Sequence, residues 1–197
     1  MMNGWNLRLL LNRTLNEHED RRYLGMSAIG KCARFLYGEL VNGREAPSEK
    51  SKRYFHEGYL HERDVIERIA EVGVAVEHHN RELIAPFDDR FRGHIDGEIE
   101  GDLLEIKSVD DERFCRVMDS GRPFEEHMDQ VQMYMRYGGY VRALLVYKCR
   151  NTGDVLVKKI ERDERRGSAL EQKAMAILAA VDAGEPPACT CGHCPLR

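Results

Sequence analysis

Asp96, Glu105 and Lys107 bring two carboxylates and an ammonium into one short stretch, FRGHIDGEIEGDLLEIKSV, from Phe91 to Val109. Apolar and β-branched residues alternate there with polar ones on both sides of a Gly-Asp break. This predicts two strands joined by a tight turn at Glu100-Gly101-Asp102. Successive side chains of a strand point to opposite faces, so His94, Asp96 and Glu98 share one face while Ile95, Gly97 and Ile99 share the other. Beyond the turn, Leu103, Glu105 and Lys107 share a face, and Leu104 and Ile106 take the opposite one. A loop with an even number of residues sets Asp96 across from the Glu105/Lys107 pair. Directly opposite Cβ atoms lie about 4.5–5.5 Å apart, so two carboxylates can reach one small cation at oxygen distances of roughly 2.0–2.1 Å. That chemistry suits Mg²⁺ or Mn²⁺. The same alternation also describes the solvated face of an antiparallel sheet, so the surrounding elements must decide.

Those elements can be read in order. Leu7, Leu10, Leu11 and Leu15 recur at helical spacing between Trp5 and Leu15, and the polar run NEHEDRR follows as a loop. A second helix is predicted from Ser27 through IGKCARFLYGEL, with Cys32 one to two turns inside it. Residues 42–52 read as a connection. From Lys52 to Val72 the apolar stripe Phe55, Gly58, Val65, Ile66, Ile69 and Val72 marks the strongest helix, closed by Gly73. Glu62 falls on that stripe with His61 at its edge, and a carboxylate facing a core needs a partner or a metal. The alternative is that both sit at the margin and reach solvent.

Strand-like segments follow at Val74–His79 and Glu82–Ala85, with His78-His79 read as ordinary strand or turn residues. After the hairpin, Pro123 opens a helix through FEEHMDQVQMYMRYG to Gly138. His127, Gln130 and Tyr134 align on one face of it, a pattern that a plain helix surface also shows. A strand over Tyr140–Lys148 turns at Asn151-Thr152-Gly153 into a partner, Asp154–Ile160. A long helix from Glu164 to Asp182 carries Leu170, Ala174, Ile177, Leu178 and Val181 inward and stops at Gly184. The expected core order is α-β-β-β-α-β, a mixed β-sheet flanked by helices with helical additions at both ends.

A chain of 197 residues suffices for one α/β domain with an added lobe. No apolar run approaches the ~20 residues of a membrane span, and Leu9-Leu10-Leu11 is too brief for a signal-peptide core, so a cytoplasmic protein is expected. The formal net charge of -4 offers phosphate no general attraction, so any nucleic-acid surface must be local. Arg8/Arg13/Arg21/Arg22 and Lys158/Lys159/Arg162/Arg165/Arg166 are candidate basic segments, each equally readable as a solvated face. Six cysteines, three of them within the last nine residues, point to metal ligation or buried thiols more than to disulfides.

SAIGKCAR, GYLHE, GHIDG, LLEIKS, QVQMY and CTCGHC occur in that order between Ser27 and Cys194. Together they resemble the PD-(D/E)XK nuclease superfamily, in particular the RecB-like iron-sulfur exonucleases of CRISPR adaptation systems and phages. The resemblance implies a restriction-endonuclease-like α/β fold over residues 1–197, with a catalytic core at 51–160 and helical additions at 1–50 and 161–197. It implies a Mg²⁺ or Mn²⁺ ion held by His61, Asp96, Glu105 and the main-chain carbonyl of Ile106, with Glu62 a supporting carboxylate. Lys107 would orient or activate the attacking water, while Gln130 and Tyr134 organise substrate and site.

The cysteines imply a second centre. Cys189, Cys191 and Cys194, with Cys32 as the fourth ligand, would hold a [4Fe-4S] cluster as a structural staple. The terminal three are spaced more tightly than is usual in such enzymes, so structural Zn²⁺, or His193 replacing a thiolate, stays open. Closing a loop of roughly 150 residues removes about 4.7 kcal/mol or slightly more of unfolded-chain entropy in the simplest cross-link model. Cys115 and Cys149 stand outside the set as buried thiols. The implied activity is exonucleolytic hydrolysis of single-stranded DNA or DNA ends. The alternatives are a structure-selective endonuclease and a non-catalytic, metal-stapled DNA-binding module. Expected partners are DNA and recombination, replication or CRISPR-adaptation proteins, with no membrane.

Overall fold

The computed structural model describes residues 22–192. The predicted helix at Trp5–Leu15, the basic positions Arg8, Arg13 and Arg21, and His193 and Cys194 lie outside them. A short strand β1 (Leu24–Gly25) and a 3-10 turn (Met26–Ala28) lead to helix α1 (Ala33–Asn42). Cys32 is the N-cap of α1, not a residue one to two turns inside a helix begun at Ser27. The earlier residues turn too tightly, with Lys31 N–H donating to Ala28 O at 2.9 Å.

Helix α2 (Glu49–Glu71) starts one turn before the predicted position, because Ser48 caps it by accepting from Ser51 N–H at 3.1 Å. Its apolar stripe is only partly buried: Val65 is in the core with Ile66 and Ile69 against it, whereas Phe55 and Val72 are exposed. Residues 74–79 form no strand. They make one backbone bridge, Glu77 to Glu98, and then turn with His78 and Asn80 at φ 51° and 57°.

The predicted hairpin is broken in its first arm. β3 (Phe91–His94) pairs with β1 and with β2 (Glu82–Ile84) in a three-stranded sheet. β4 (Gly97–Ile99) and β5 (Asp102–Val109) open a second sheet of order β4-β5-β6-β7, with β6 at Arg142–Cys149 and β7 at Val155–Glu161. β5 pairs antiparallel with β4 and parallel with β6, and β6 pairs antiparallel with β7, so the sheet is mixed. At the break, Ile95 N–H donates to Arg81 O of the preceding loop, and the carboxylate of Asp96 takes the Ile106 N–H. The turn itself is Glu100-Gly101, both at positive φ (51° and 83°), with Ile99 opposite Asp102. A two-residue loop of this kind matches the right-handed twist of its strands.

Between β5 and β6 the chain makes a helix that the sequence reading missed, α3 (Asp111–Ser120), before α4 (Glu125–Gly138). Its signals are nevertheless present: Asp110 accepts from Arg113 N–H at 2.9 Å and Gly121 ends the helix in the left-handed region. Pro123 precedes the α4 N-cap, Phe124, so it stands just outside the helix. Helix α5 (Glu164–Ala183) is capped by Asp163 and closed by Gly184.

The sheet is covered on both faces. Leu104 and Ile106 join Val65 and Val146 beneath α2. Leu103, Val109, Leu145 and Tyr147 join Val131, Met133, Met135, Leu170, Ala174, Ile177 and Leu178 of α4 and α5 in the main core. The predicted alternation along β5 therefore holds, and it aims Glu105 and Lys107 toward α4. No helix among the described residues is long and apolar enough to cross a membrane.

Candidate active site

The β4–β5 register ends with Gly97 opposite Leu104, and at the break beyond it Asp96 stands close enough to Glu105 for the two charges to act on each other. Glycine is required on either side of this aspartate. A Cβ on Gly93 would stand 2.6 Å from Tyr134 Cε1, and one on Gly97 2.5 Å from Val76 Cγ1. The two contacts press the bent strand against α4 on one side and the 74–79 loop on the other.

Asp96 Oδ2 accepts the Ile106 N–H at 2.6 Å. Glu105, 1% exposed, has its two oxygens in different situations. Oε1 accepts from Gln130 Nε2 and lies beside Lys107 Nζ, both at 2.6 Å, whereas buried Oε2 has no hydrogen-bond partner. An orphaned buried carboxylate oxygen is costly, and it aims ligand capacity at whatever occupies the site.

Burial, followed by the charge of Glu105, holds Asp96 well above the usual carboxylate range, and burial raises Glu105 as well. Burial acts to lower Lys107, but the charges of Glu105 and Asp96 outweigh it and keep the ammonium protonated. Glu62 adds a third carboxylate whose charge is felt at all three groups. With all four ionised, three anions face one cation, an excess that a divalent cation would neutralise. Donor set and orphaned oxygen therefore fit Mg²⁺ or Mn²⁺, which prefer carboxylate oxygen.

The surrounding residues brace this group. Tyr134, 2% exposed, is hydrogen-bonded to the Gln130 side chain and the His94 backbone. Burial, then the charges of Glu105 and Asp96, raises its hydroxyl pKa well above normal, so it stays protonated. His127 contacts the Tyr147 hydroxyl at 2.9 Å, and burial followed by the charge of Lys107 pushes its pKa down to about 3.

The remaining predicted positions divide. Glu62 pairs with His79 Nε2 at 3.1 Å, giving His79 a role that its sequence spacing did not signal. His61 lies by Lys148, Arg150 and Asp64; burial and then the two cations lower its pKa, leaving a neutral ring. Neither His61 nor Glu62 closes a three-ligand group with Asp96 and Glu105 within 4.8 Å among the described residues. At the other pole, the sulfurs of Cys32, Cys189 and Cys191 do lie within 4.8 Å of one another, with 3.6 Å between the last two. Cys149 is buried and Cys115 half-buried, apart from them.

This architecture is shared with solved exonucleases. The alkaline exonuclease LHK-Exo from Laribacter hongkongensis, solved in complex with dAMP, superposes with a TM-score of 0.68 at 21% identity, covering 84% of this chain and 90% of that one. A phage-related exonuclease from Haemophilus somnus 129PT gives 0.59 at 13% identity, over 88% and 97% of the two chains. At such identities the likeness is one of fold. No family model matches the sequence, and no curated protein matches it.

Proposed function

We propose that the chain is a divalent-metal-dependent deoxyribonuclease of the PD-(D/E)XK type, acting as an exonuclease on single-stranded DNA or DNA ends. The observation that carries this reading is the convergence of Asp96, Glu105 and Lys107 around a buried carboxylate oxygen without a partner. Asp96, Glu105 and the Ile106 carbonyl would hold Mg²⁺ or Mn²⁺, with His61 and Glu62 contributing from α2. A neutral imidazole is the form that ligates metals, and the cations beside His61 favour it.

When bound, the ion lowers the pKa of a coordinated water and neutralises charge on the reacting phosphate. The chain's own residues do the rest. Lys107 directs positive charge at the attacked phosphate, Gln130 fixes the rotamer of Glu105, and Tyr134 holds Gln130 and the β3 end in place. The fold shared with exonucleases, one of them solved with dAMP, supports a nucleotide end as substrate.

The Cys32, Cys189 and Cys191 sulfurs would hold a second, structural centre with Cys194: a [4Fe-4S] cluster, or Zn²⁺ in the alternative reading. Cleavage of linear and circular single-stranded DNA with Mn²⁺, Mg²⁺ or chelator tests the assignment. Metal-dependent loss of the linear strand alone is expected. Cutting of circles would assign an endonuclease, and no cleavage under any metal would leave a DNA-binding module.

A further inference from the structure

Helix α2 has a second face, outside its contact with the core, that leaves aromatic rings largely open. Its inward side is made by Val65 with Ile66 and Ile69. One to three turns nearer its start, Phe55, Tyr59 and Tyr54 are 68%, 54% and 47% exposed. Three aromatic rings on two turns of a water-facing helix are costly unless something covers them.

Their placement relative to the site says what. Phe55, Tyr59 and Glu62 follow one another at spacings of four and three, so they share one helix row. Glu62 is the end of that row whose charge is felt by Asp96, Glu105 and Lys107. From Glu62, Tyr59 lies about 4.5 Å and Phe55 about 10.5 Å further along the helix axis.

Charge changes sign along the same line. Beyond the carboxylates, the aromatic turns carry cations: Lys50 sits 5.7 Å and Arg150 5.5 Å from the Tyr54 ring centre. Lys52 and Arg53 occupy the same turn; of the two acids between residues 49 and 59, Glu49 is paired with Lys52 at 2.9 Å and Glu57 falls about 200° round the helix from Phe55, while Arg150 also reaches Asp110 at 3.7 Å. Residues 49–59 thus carry one more cation than acid, joined by Arg150, on a chain of net charge -4. Bases have π-faces that stack on aromatic rings, and the phosphates between them seek cations.

We propose that Tyr59 and Phe55 form a stacking platform for a single strand of DNA whose end lies in the carboxylate site, with Lys50, Arg53 and Arg150 flanking its phosphates. This rests on the nuclease reading for the direction of the strand, but not for the stacking itself.

The test compares binding of fluorescein-labelled oligothymidylate, twelve nucleotides long, with that of an abasic strand of the same length. It uses the full chain carrying Lys107→Ala, in Ca²⁺, so that the probe stays intact. This protein should prefer the base-bearing strand by about five- to a hundredfold per stacked base. Phe55→Ala/Tyr59→Ala should bind both strands alike, while Phe55→Trp/Tyr59→Trp keeps the preference. Retention of the preference in the double alanine variant, or no binding of either strand, overturns the platform. A smaller assembly in sedimentation of that variant, with strand preference intact, would assign the face to a second copy of the chain and also overturns it. Cleavage by the protein with Lys107 restored is scored separately, so the nuclease reading can fail while the platform holds, and the reverse.

Discussion

Lys107 is set among Asp96, Glu105 and Glu62, and each neighbour constrains it differently. Gln130 shares Glu105 Oε1 with it, so Gln130→Ala frees the carboxylate to rotate. If Glu105 holds the proposed ion, the expected result is a fall in kcat of about ten- to a hundredfold, the range typical of removing an outer partner of a metal ligand, with the fold retained. Gly93→Ala would drive a methyl group into Tyr134, at a cost of about 1–3 kcal/mol in overpacking. Thermal unfolding should register it as a drop of roughly 2–4 °C per kcal/mol for a chain of this size.

His127 gives a pH signature. Its pKa is pushed down to about 3 in the folded protein, from an ordinary value near 6.5. Between those values the unfolded chain binds a proton that the folded one does not. Stability therefore falls as pH drops through that window and is fully present above it. Urea titrations at a series of pH values should show this acid limb shallower in His127→Gln; an unchanged limb would mean the ring is protonated in the folded state.

At the scale of elements, the β4–β5 turn holds Glu100 at φ 51°, where most side chains are strained. Glu100→Asn should stabilise the chain by a few tenths to about 1 kcal/mol in chemical denaturation, since asparagine favours this turn position. The alternation along β5, the Asn151-Thr152-Gly153 turn and the Gly184 stop were all legible in the sequence, because local pattern and tertiary environment agree there. The break between His94 and Gly97 was not. It depends on a backbone bond from Ile95 to Arg81 and on Asp96 capturing the Ile106 N–H, neither of which leaves a mark in residue spacing. Residues 74–79 misread for a related reason: their valines suit a strand, but among them Glu77 alone bridges to a strand, while Val74 N–H turns back to Ile69 O at 3.2 Å. Helix α3 carried its capping signals openly at Asp110 and Gly121, and its few apolar residues, chiefly Phe114 and Val117, hid it.

At the scale of the molecule, the site draws on a sheet packed between α2 and the α4/α5 pair, and the cysteine group draws α1 to the chain's last described turn. Arg34 to Pro187 O at 3.4 Å already fastens that end to α1, and Lys173 Nζ to Lys31 O at 2.6 Å ties α5 to the residues before α1. If the cysteine group holds the metal proposed for it, Cys189→Ser/Cys191→Ser, purified anaerobically, should carry less iron or zinc than the unaltered protein and unfold at lower temperature. Metal analysis against the unaltered protein separates the two metals. The shared face of Glu105 and Lys107 was legible from strand alternation, whereas the shell around it, with His79 on Glu62 and Gly93 under Tyr134, came only from tertiary packing.

We propose that Asp96, Glu105 and Lys107 act together in DNA hydrolysis. It is tested most directly by release of acid-soluble nucleotide from linear single-stranded DNA in Mn²⁺, comparing the unaltered protein with Lys107→Ala and Glu105→Gln. Release by the unaltered protein that chelator abolishes, with both variants reduced about a hundredfold or more, is the predicted result, in line with the loss of a group that stabilises the transition state. Undiminished release by either variant would remove that residue from the catalytic site.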